Sequence, residues 1–383
     1  MIKATVLGGG MVGSVMAADL STDPDFDVTI VDLRQESLDR AVKRADGVGG
    51  KLSTKQADLS DVSALKAAIA DSDIVLGALA SKIGFQSLQA VIESGKNYAD
   101  ISFMPEDSWD LDALAKENGV TAVVDMGVAP GMSNMLSGYG ASLLKECQNI
   151  EIYVGGLPRE RNWPYEYKAG FSPADVLEEY TRPSRLVEHG EIVVREALSE
   201  PVLMDFDGLG TLESFNTDGL RSLAYTMKVP FMKEKTLRYP GHIELMRVFR
   251  ETGLFSQDRI EVDGGSIRPL DVISKLMFPK WTYEPEEQDL TIMRIITDGL
   301  DSSGKQTRHQ WDLLDFYNHG STSMSRTTAF PCAIIARMIA KGELDMPGVI
   351  NAEQIGPQAG LVDHVLAELS KRDIQYTYQQ LPL

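Results

Sequence analysis

Three glycines near the start of the chain have the spacing that a phosphate-binding turn requires. They are Gly8, Gly10 and Gly13, a G-x-G-x-x-G arrangement that follows the strand-like run IKATVL. The first permits a tight turn, the second lets the backbone approach a pyrophosphate, and the third lets the following helix pack on the sheet. The first amides of that helix, near Met11 and Val12, can then bind phosphate oxygens. The motif predicts a dinucleotide site, and a tight glycine turn without a ligand is the alternative.

An acidic residue lies where a dinucleotide-binding domain needs one. The next apolar run, FDVTIVDLR, contains Asp32, which lies 19 residues (32 − 13) beyond Gly13. A carboxylate at about this separation hydrogen-bonds the ribose hydroxyls of the adenosine half of the cofactor. Because this carboxylate would repel a 2′-phosphate, Asp32 favours NAD over NADP. Arg34 lies close by and leaves NADP open.

The elements that must position these residues alternate between strand and helix. Strand-like and helix-like runs follow one another as LSTKQADLSD, VSALKAAIADS, DIVLGALA, GFQSLQAVIESG, NYADIS, LDALAKENG and TAVVDMG. This order predicts an α/β fold with a Rossmann-type, doubly wound parallel sheet. The cofactor should lie across the carboxyl ends of its strands.

Several residues after these strands are candidates to contact ligands. The candidates for cofactor contact are Asp58, Leu59, Ala78, Leu79, Gly127 and Val128. Ser81 is a candidate for substrate contact. Asp125 and Asn134 flank the turn expected beneath the nicotinamide, where helix capping is the other interpretation.

The regular alternation ends at about Gly127. The remaining runs mix strands and helices, which predicts an α+β substrate and oligomerisation domain with a mixed or antiparallel sheet. The run TSMSRTTAFPCAIIARMIAKGEL is then a long amphipathic helix. We expect three regions: a dinucleotide-binding domain over 1–127, the substrate domain over 128–320, and C-terminal helices over 321–383 that return to the first domain.

Composition excludes several classes of partner. The 383 residues carry a net charge of −19, which disfavours binding to nucleic acid or to an anionic membrane surface. Cys147 and Cys332 have no metal-ligand spacing and are expected to be buried free thiols, so no metal is expected. The chain begins on a strand-like run rather than a signal peptide, and no stretch approaches 18 uninterrupted apolar residues. A cytoplasmic protein is expected.

Several longer runs resemble the saccharopine dehydrogenase-like family, and within it most closely the L-lysine 6-dehydrogenases. They are VLGGGMVGSVMAADL, DMGVAPGMSNML, GGLP, YKAGFSPADVLEEYTRPSRLVEHG, TDGLRSL and TLRYPGH. The resemblance covers nearly the whole chain and is weakest after about residue 255. It implies a two-domain dehydrogenase that acts on an amine-bearing carbon of a lysine-derived substrate.

The resemblance also identifies site residues and two departures. Ser172 matches a cofactor contact of the family, and Leu237, Arg238 and Tyr239 match substrate contacts. Glutamate-forming saccharopine reductases have an aspartate at the position of Ala129 and an arginine at the position of Thr217, and both contact substrate there. Arginine pairs bidentately with a carboxylate. Losing both residues makes saccharopine a poor fit and leaves room, beside Thr217, for a smaller amine such as lysine.

Oxidation of an amine needs a base near the nitrogen, a guide for water and donors for the substrate carboxylate. His242, Asp218 and Lys168 are the candidate bases, and Arg238 is the candidate carboxylate binder. Each has a structural alternative. His242 could cap a turn, Asp218 could form an Asx turn, Lys168 could extend its ammonium to the surface, and Arg238 could form a surface ion pair. Arg182 and Arg185 are second-rank carboxylate binders, and a solvated helix end is their alternative.

The leading functional hypothesis is therefore an NAD-dependent lysine ε-amine dehydrogenase that works as a homo-oligomer, a dimer or larger. The second is a saccharopine- or carboxynorspermidine-forming reductase, which would need an additional cationic pocket. A third is a dinucleotide-binding protein without turnover, which the sequence leaves open because no single residue is an unmistakable catalyst.

Overall fold

The computed structural model describes residues 1–170, 173–284 and 287–383. The chain forms two compact units, each built from two segments. The first consists of Met1–Tyr139 and Ser325–Ile374, and the second of Gly140–Met324 and Gln375–Leu383. The first unit thus continues past the expected boundary at 127, and the last residues belong to the second unit.

Both units contain β-strands. In chain order they are β1 (Ile2–Leu7), β2 (Phe26–Asp32), β3 (Leu52–Gln56), β4 (Ile74–Gly77), β5 (Asn97–Asp100), β6 (Thr121–Val124), β7 (Glu146–Pro158), β8 (Ser184–Glu188), β9 (Glu191–Arg195), β10 (Val202–Phe206), β11 (Gly210–Asn216), β12 (Phe231–Arg238), β13 (Ile260–Val262), β14 (Gly265–Ile267), β15 (Asp289–Leu300), β16 (Gln306–Phe316), β17 (Gly348–Asn351) and β18 (Tyr376–Pro382).

Helices connect and cover these strands. In chain order they are α1 (Met11–Ser21), α2 (Gln35–Gly47), α3 (Val62–Ile69), α4 (Ser81–Glu93), α5 (Asp112–Glu117), α6 (Met132–Ser142), α7 (Pro173–Thr181), α8 (Leu223–Thr226), α9 (His242–Glu251), α10 (Pro269–Trp281), α11 (Ser323–Ala340), α12 (Ala352–Ile355) and α13 (Leu361–Ser370), with a 3₁₀ turn at Ser108–Leu111. Within the described ranges, no helix combines the length and apolarity needed to cross a membrane.

The first unit contains the predicted doubly wound sheet, so the fold class is confirmed. Its strand order is β17-β6-β5-β4-β1-β2-β3, and every neighbouring pair is parallel. The order reverses between β1 and β4, which is the switch point where such sheets bind ligands at their carboxyl ends. All four residues of β4 are buried, as expected for a strand covered on both faces.

The second unit contains the expected mixed sheet. Its strands run in the order β10-β11-β12-β7-β15-β16-β18, with β8 paired to β12 and β9 to β8. The pairing of β12 with β7 is parallel, and the other pairs are antiparallel. The expectation that all of 321–383 returns to the first domain is wrong at its end. There β18 adds to the edge of this sheet beside β16, because its backbone completes that ladder.

An aromatic core covers one region of the mixed sheet. Its large buried members come from the sheet, from α7, α9 and α10, and from the segment between β7 and α7, and include Tyr167, Tyr180, Phe215, Met277 and Trp281. Polar and charged side chains from β12 enter this same region. Because buried polar groups need hydrogen-bond partners, we expect a hydrogen-bonded network around the polar side chains of β12.

Candidate functional site

The glycine turn of the first unit has the geometry of a phosphate cradle. Gly8 has a φ of 99°, and a Cβ there would collide with the carbonyl oxygen of Ala78. A Cβ on Gly13 would collide with the carbonyl oxygen of Gly8. By contrast, nothing lies within 4 Å of the position of a Cβ on Gly10. That space lies at the start of α1, where Met11 begins the helix and the first amides are available to an anion.

Asp32 is held against this turn. Its Oδ2 accepts a hydrogen bond of 2.7 Å from the amide of Gly9, and its Oδ1 accepts one of 2.8 Å from the amide of Arg34. The Asp32 side chain is 13% exposed, and the Arg34 side chain is 67% exposed, with its Nε 3.9 Å from Asp32 Oδ1. Asp32 is therefore a fixed carboxylate beside the glycine turn, and Arg34 is an exposed cation next to it.

The other cofactor candidates follow three strands of the sheet. Leu59 and Val128 are buried, whereas the Asp58 carboxylate is exposed and accepts hydrogen bonds from Ser60, which lower its pKa. The Gly127 amide donates to the Pro130 carbonyl oxygen at 3.0 Å.

Ala78 and Leu79 follow β4, and Ser81 begins α4 beside them. All these positions lie at carboxyl ends of parallel strands, as predicted. Asp125 follows β6 in a left-handed conformation (φ 52°), and Asn134 donates to Glu353 within the same unit at 3.3 Å. Ser172 lies outside the described residues.

Arg238 forms a buried polar network in the second unit. It is 2% exposed, and its Nη2 donates to Glu179 at 2.7 Å. Its Nε donates to the hydroxyl of Tyr180 at 3.0 Å, its Nη1 donates to the carbonyl oxygen of Leu237, and its guanidinium lies 4.4 Å from the ring centre of Tyr167. Arg238 is therefore a partner of protein groups rather than the surface cation considered as its alternative.

His242 continues this network. Its Nε2 lies 2.9 Å from the hydroxyl of Tyr180, and its Nδ1 lies 2.8 Å from the carbonyl oxygen of Tyr165. A carbonyl oxygen only accepts, so Nδ1 carries the proton and Nε2 accepts from Tyr180. Burial and, to a smaller extent, the charge of Arg238 lower the pKa of His242 to about 3, against a smaller rise from the hydrogen bond to Tyr165. This arrangement favours a structural role over that of a base.

The other two candidate bases also have protein partners. Asp218 forms a bidentate pair with Arg185, with Oδ1 2.8 Å from Nε and Oδ2 2.8 Å from Nη2. Lys168 pairs with Glu287 and donates to the carbonyl oxygen of Thr282 at 3.0 Å. Among the contacts between described residues, none joins two of the three candidate bases, so the structure does not assemble them into one cluster.

The remaining substrate candidates lie on or beside β12. Leu237 is fully buried in the aromatic core, and the hydroxyl of Tyr239 donates to the carbonyl oxygen of Pro158 at 2.9 Å. Arg182 pairs with Glu178 one helical turn away. Among the catalytic and substrate-binding residues predicted from the sequence, Arg238 and His242 are brought together through the hydroxyl of Tyr180.

Thr217 lies against an acid that the sequence did not single out. Its hydroxyl donates to Oε2 of Glu234 and lies 2.9 Å from the hydroxyl of Thr236. Glu234 is 4% exposed, and its pKa is raised to about 8 by burial and by the nearby carboxylates of Glu179 and Asp218, against the lowering by the hydrogen bond from Thr217. The signal in the sequence is an acid at a strand position that faces the core, since Met232, Glu234, Thr236 and Arg238 alternate along β12.

Two protein-family models match most of the chain. Residues 4–123 match the saccharopine dehydrogenase NADP binding domain, and residues 127–374 match the saccharopine dehydrogenase C-terminal domain. The first unit is thus a nicotinamide-dinucleotide-binding domain by family as well as by topology.

Curated proteins are similar at low identity. Mitochondrial alpha-aminoadipic semialdehyde synthase of Mus musculus is 23% identical over 91% of this chain and 45% of its own length. This chain spans about half the length of the synthases it matches. Carboxynorspermidine synthase of Vibrio cholerae is 22% identical, with 92% of each chain covered. Saccharopine dehydrogenase (NADP(+), L-glutamate-forming) of Schizosaccharomyces pombe is 19% identical over 96% of this chain and 97% of its own.

A solved structure has the same fold. Apo saccharopine dehydrogenase (L-Glu forming) from Saccharomyces cerevisiae superposes with a TM-score of 0.84 at 17% identity, with 100% of both chains covered. At that identity the likeness establishes the fold alone.

Proposed function

This chain belongs to the saccharopine dehydrogenase family of oxidoreductases, and from that premise we propose that it is an NAD-dependent dehydrogenase of the ε-amine of L-lysine. In the proposed reaction the ε-carbon loses a hydride to the dinucleotide, water adds to the resulting iminium carbon, and ammonium leaves. The aldehyde product then cyclises onto its own α-amine.

The residues of the first unit fit the dinucleotide. The open space at Gly10 accepts a pyrophosphate that a side chain there would exclude, and Asp32 offers a fixed carboxylate to ribose hydroxyls. When bound, the dinucleotide supplies the hydride acceptor. The choice of NAD rests on Asp32, because its carboxylate would repel a 2′-phosphate. Two observations favour NADP instead: Arg34 is exposed beside Asp32, and residues 4–123 match an NADP binding domain.

The proposal of L-lysine as the substrate rests on the contact between Thr217 and Glu234. The resemblance implies that glutamate-forming reductases place a carboxylate-binding arginine at the position of Thr217. In this chain Thr217 hydrogen-bonds a buried carboxyl, so the positive charge of that arginine is replaced by a group that is neutral below about pH 8 and negative above it. Within the described residues no lysine or arginine pairs with Glu234, whereas Arg238 neutralises Glu179 and Arg185 neutralises Asp218. An acid without a cation suits an ammonium-bearing substrate better than a second carboxylate.

The proton of the amine must still be removed before hydride transfer, because only the neutral nitrogen can assist it. Asp218 and Lys168 remain the proposed bases. The pairing of His242 with Tyr165 and Tyr180 makes it the weakest of the three candidates.

A reductase that forms carboxynorspermidine or saccharopine is the second candidate. It is favoured by the similarity to carboxynorspermidine synthase, which extends over 92% of both chains. Such an enzyme would join an amine to an aldehyde-bearing partner and consume the reduced dinucleotide.

Assays in both directions separate the candidates. We would incubate the purified protein with NAD or NADP and a panel of L-lysine, other diamines and saccharopine, and follow the absorbance of the reduced dinucleotide. Turnover of lysine with NAD is the expected result. A higher kcat/KM for saccharopine, or activity only in the reductive direction, would favour the reductase. Dinucleotide binding without turnover of any amine would favour a non-catalytic protein. A homo-oligomeric assembly and a cytoplasmic location also stay predictions.

A further inference from the structure

A second set of buried polar side chains lies in the dinucleotide-binding unit, at the end of β5. Asp100 and Ser102 are 0% and 2% exposed. Ser102 donates twice to Asp100 Oδ1, from its amide at 2.9 Å and from its hydroxyl at 2.7 Å. The oxygen of the same hydroxyl accepts a hydrogen bond of 3.0 Å from the amide of Leu79. A chain of hydrogen bonds therefore joins the end of β5 to the end of β4.

The segment that receives this support forms one wall of the glycine turn. A Cβ on Gly8 would collide with the carbonyl oxygen of Ala78 and lie 3.4 Å from Cδ2 of Leu79. A Cβ on Gly13 would lie 3.1 Å from the Cβ of Ala78. Because Ala78 and Leu79 contact the turn this closely, a shift of their backbone would move the phosphate cradle.

We propose that Asp100 and Ser102 are positioning residues for the dinucleotide. Asp100 fixes the rotamer of the Ser102 hydroxyl, and that hydroxyl fixes the amide of Leu79 beside the phosphate turn. The inference rests on the proposed function only in requiring that a dinucleotide binds, and not in the identity of the amine. Nor does it require either residue to touch the ligand.

The surroundings of Asp100 explain why an acid can serve here. Burial and, to a smaller extent, the nearby Asp125 raise its pKa to about 7, against the lowering by the hydrogen bonds from Ser102. Oδ2 of Asp100 is buried and has no hydrogen-bond partner among the described residues. A proton on Oδ2 therefore leaves Oδ1 free to accept both bonds from Ser102, so the pair keeps its geometry in either state. The other titratable groups that face it are Tyr98 and Cys332.

The close packing at Gly77 restricts this arrangement further. A Cβ on Gly77 would collide with the hydroxyl of Tyr98 and with Oδ1 of Asp100. Both side chains thus lie directly against the last residue of β4, so this close packing helps to hold the acid that orients Ser102.

The test compares how a substitution changes the affinity for the dinucleotide with how it changes the KM for the amine. In Ser102→Ala we expect the Kd of the dinucleotide, measured by fluorescence titration without substrate, to rise about fivefold, as expected for one lost hydrogen bond. The KM for the dinucleotide should rise with it, while kcat and the KM for the amine change little. Ser87→Ala is the matched control, because Ser87 is also fully buried in this unit and donates only to a helix carbonyl, at Ile83.

Asp100 is tested by two substitutions. Asp100→Ala should weaken dinucleotide binding at least as much as Ser102→Ala. Asp100→Asn keeps an acceptor at the position of Oδ1 and should restore most of the affinity. An unchanged Kd in folded Ser102→Ala, or equal losses in Asp100→Asn and Asp100→Ala, would overturn the inference. If the wild-type protein bound neither NAD nor NADP, both the proposed function and the inference about Asp100 and Ser102 would be rejected. Dinucleotide binding without turnover of lysine would reject only the assignment of lysine as the substrate.

Discussion

The amide of Gly9 donates a hydrogen bond of 2.7 Å to Oδ2 of Asp32, so the acid at the end of β2 holds the glycine turn from outside. Asp32 orders the turn in the free protein, and we propose that it also presents a carboxylate to the adenosine ribose. These two functions can be separated by experiment. The first would matter equally for NAD and NADP, and only the second distinguishes them.

We expect NAD to bind at least about tenfold more tightly than NADP, a difference of about 1.4 kcal/mol. In Asp32→Ala this ratio should fall towards one, because the repulsion of the 2′-phosphate is lost. Titration of both cofactors into the apo-protein measures it. Asp27→Ala is the control, since Asp27 lies on the same strand with an exposed side chain. Equal affinities in the wild-type protein would refute the choice of NAD.

A second prediction concerns the empty space at Gly10. Gly10→Val should abolish dinucleotide binding and leave the fold intact, because the side chain enters space that no protein atom occupies. Gly13→Val should instead unfold the protein, since its Cβ would collide with the backbone of Gly8. Circular dichroism and cofactor titration distinguish the two. Retained NAD binding in folded Gly10→Val would show that the phosphate lies elsewhere.

The sequence predicted the first unit better than the second, for a physical reason. Each of the glycines at 8, 10 and 13 and the acid at 32 is specified by local geometry, which a motif records. The partners of Arg238 are not local: Glu179 and Tyr180 come from α7, about 60 positions earlier in the chain. Spacing within TLRYPGH could place Arg238 and His242 near one another, but could not show that a tyrosine lies between them.

Glu234 was missed for a related reason. In FMKEKTLR it stands between two lysines and looks like an exposed, solvated charge. Only the pairing of β12 with strands on both sides shows that its side chain is buried against Thr217. The C-terminal strand β18 was not predicted because its sequence, YTYQQLP, is largely polar. It lies at the edge of the sheet with mostly exposed side chains, so it lacks the apolar pattern that identifies a buried strand.

A third prediction concerns His242 and pH. Its folded pKa of about 3 lies below the ordinary value of 6.5, so between these values the unfolded chain binds more protons than the folded one. The free energy of unfolding should therefore fall as the pH drops through this window, by up to about 1.4 kcal/mol per pH unit. Denaturant unfolding at several pH values measures this slope. In His242→Ala it should be smaller, whereas His364→Ala, at an exposed helix position, should leave it unchanged.

The kinetics of His242→Ala test its proposed structural role. If His242 were the base, kcat would fall by about 10² to 10⁴, and the acidic limb of the pH–rate profile, which reports the base, would flatten. The geometry predicts that the limb persists in the variant, with any loss of activity accompanied by a loss of stability. A flattened limb in a stably folded variant would restore His242 as the base.

A fourth prediction concerns Arg238. Arg238→Ala leaves Glu179 without its cation and Tyr180 without a donor, so the free energy of unfolding should fall by about 3–5 kcal/mol. A carboxylate-binding role alone would instead raise the KM for lysine without changing stability. Thermal unfolding and steady-state kinetics of the same variant separate these outcomes. The double variant Arg238→Met with Glu179→Gln should recover part of the stability, because the orphaned charge is removed as well.

The last prediction concerns Glu234, whose buried carboxyl has a pKa of about 8 instead of about 4.5. The folded protein therefore binds the proton more strongly, and this stabilisation is fully present below about pH 4.5 and lost as the pH rises through 8. Glu234→Gln should abolish that decline in the free energy of unfolding, because the amide keeps an acceptor for Thr217 but does not titrate.

Assayed above about pH 8, where the carboxyl of Glu234 is ionised, the same Glu234→Gln variant should bind lysine less tightly, with the KM raised by about tenfold and a smaller effect on kcat, since a neutral amide attracts an ammonium less than a carboxylate does. Glu213→Gln, on the neighbouring strand β11, is the matched control for both measurements. An unchanged KM together with the expected change in pH-dependent stability would make Glu234 a structural acid. The preference for an amine over a second carboxylate would then have to come from residues other than the pair Thr217 and Glu234.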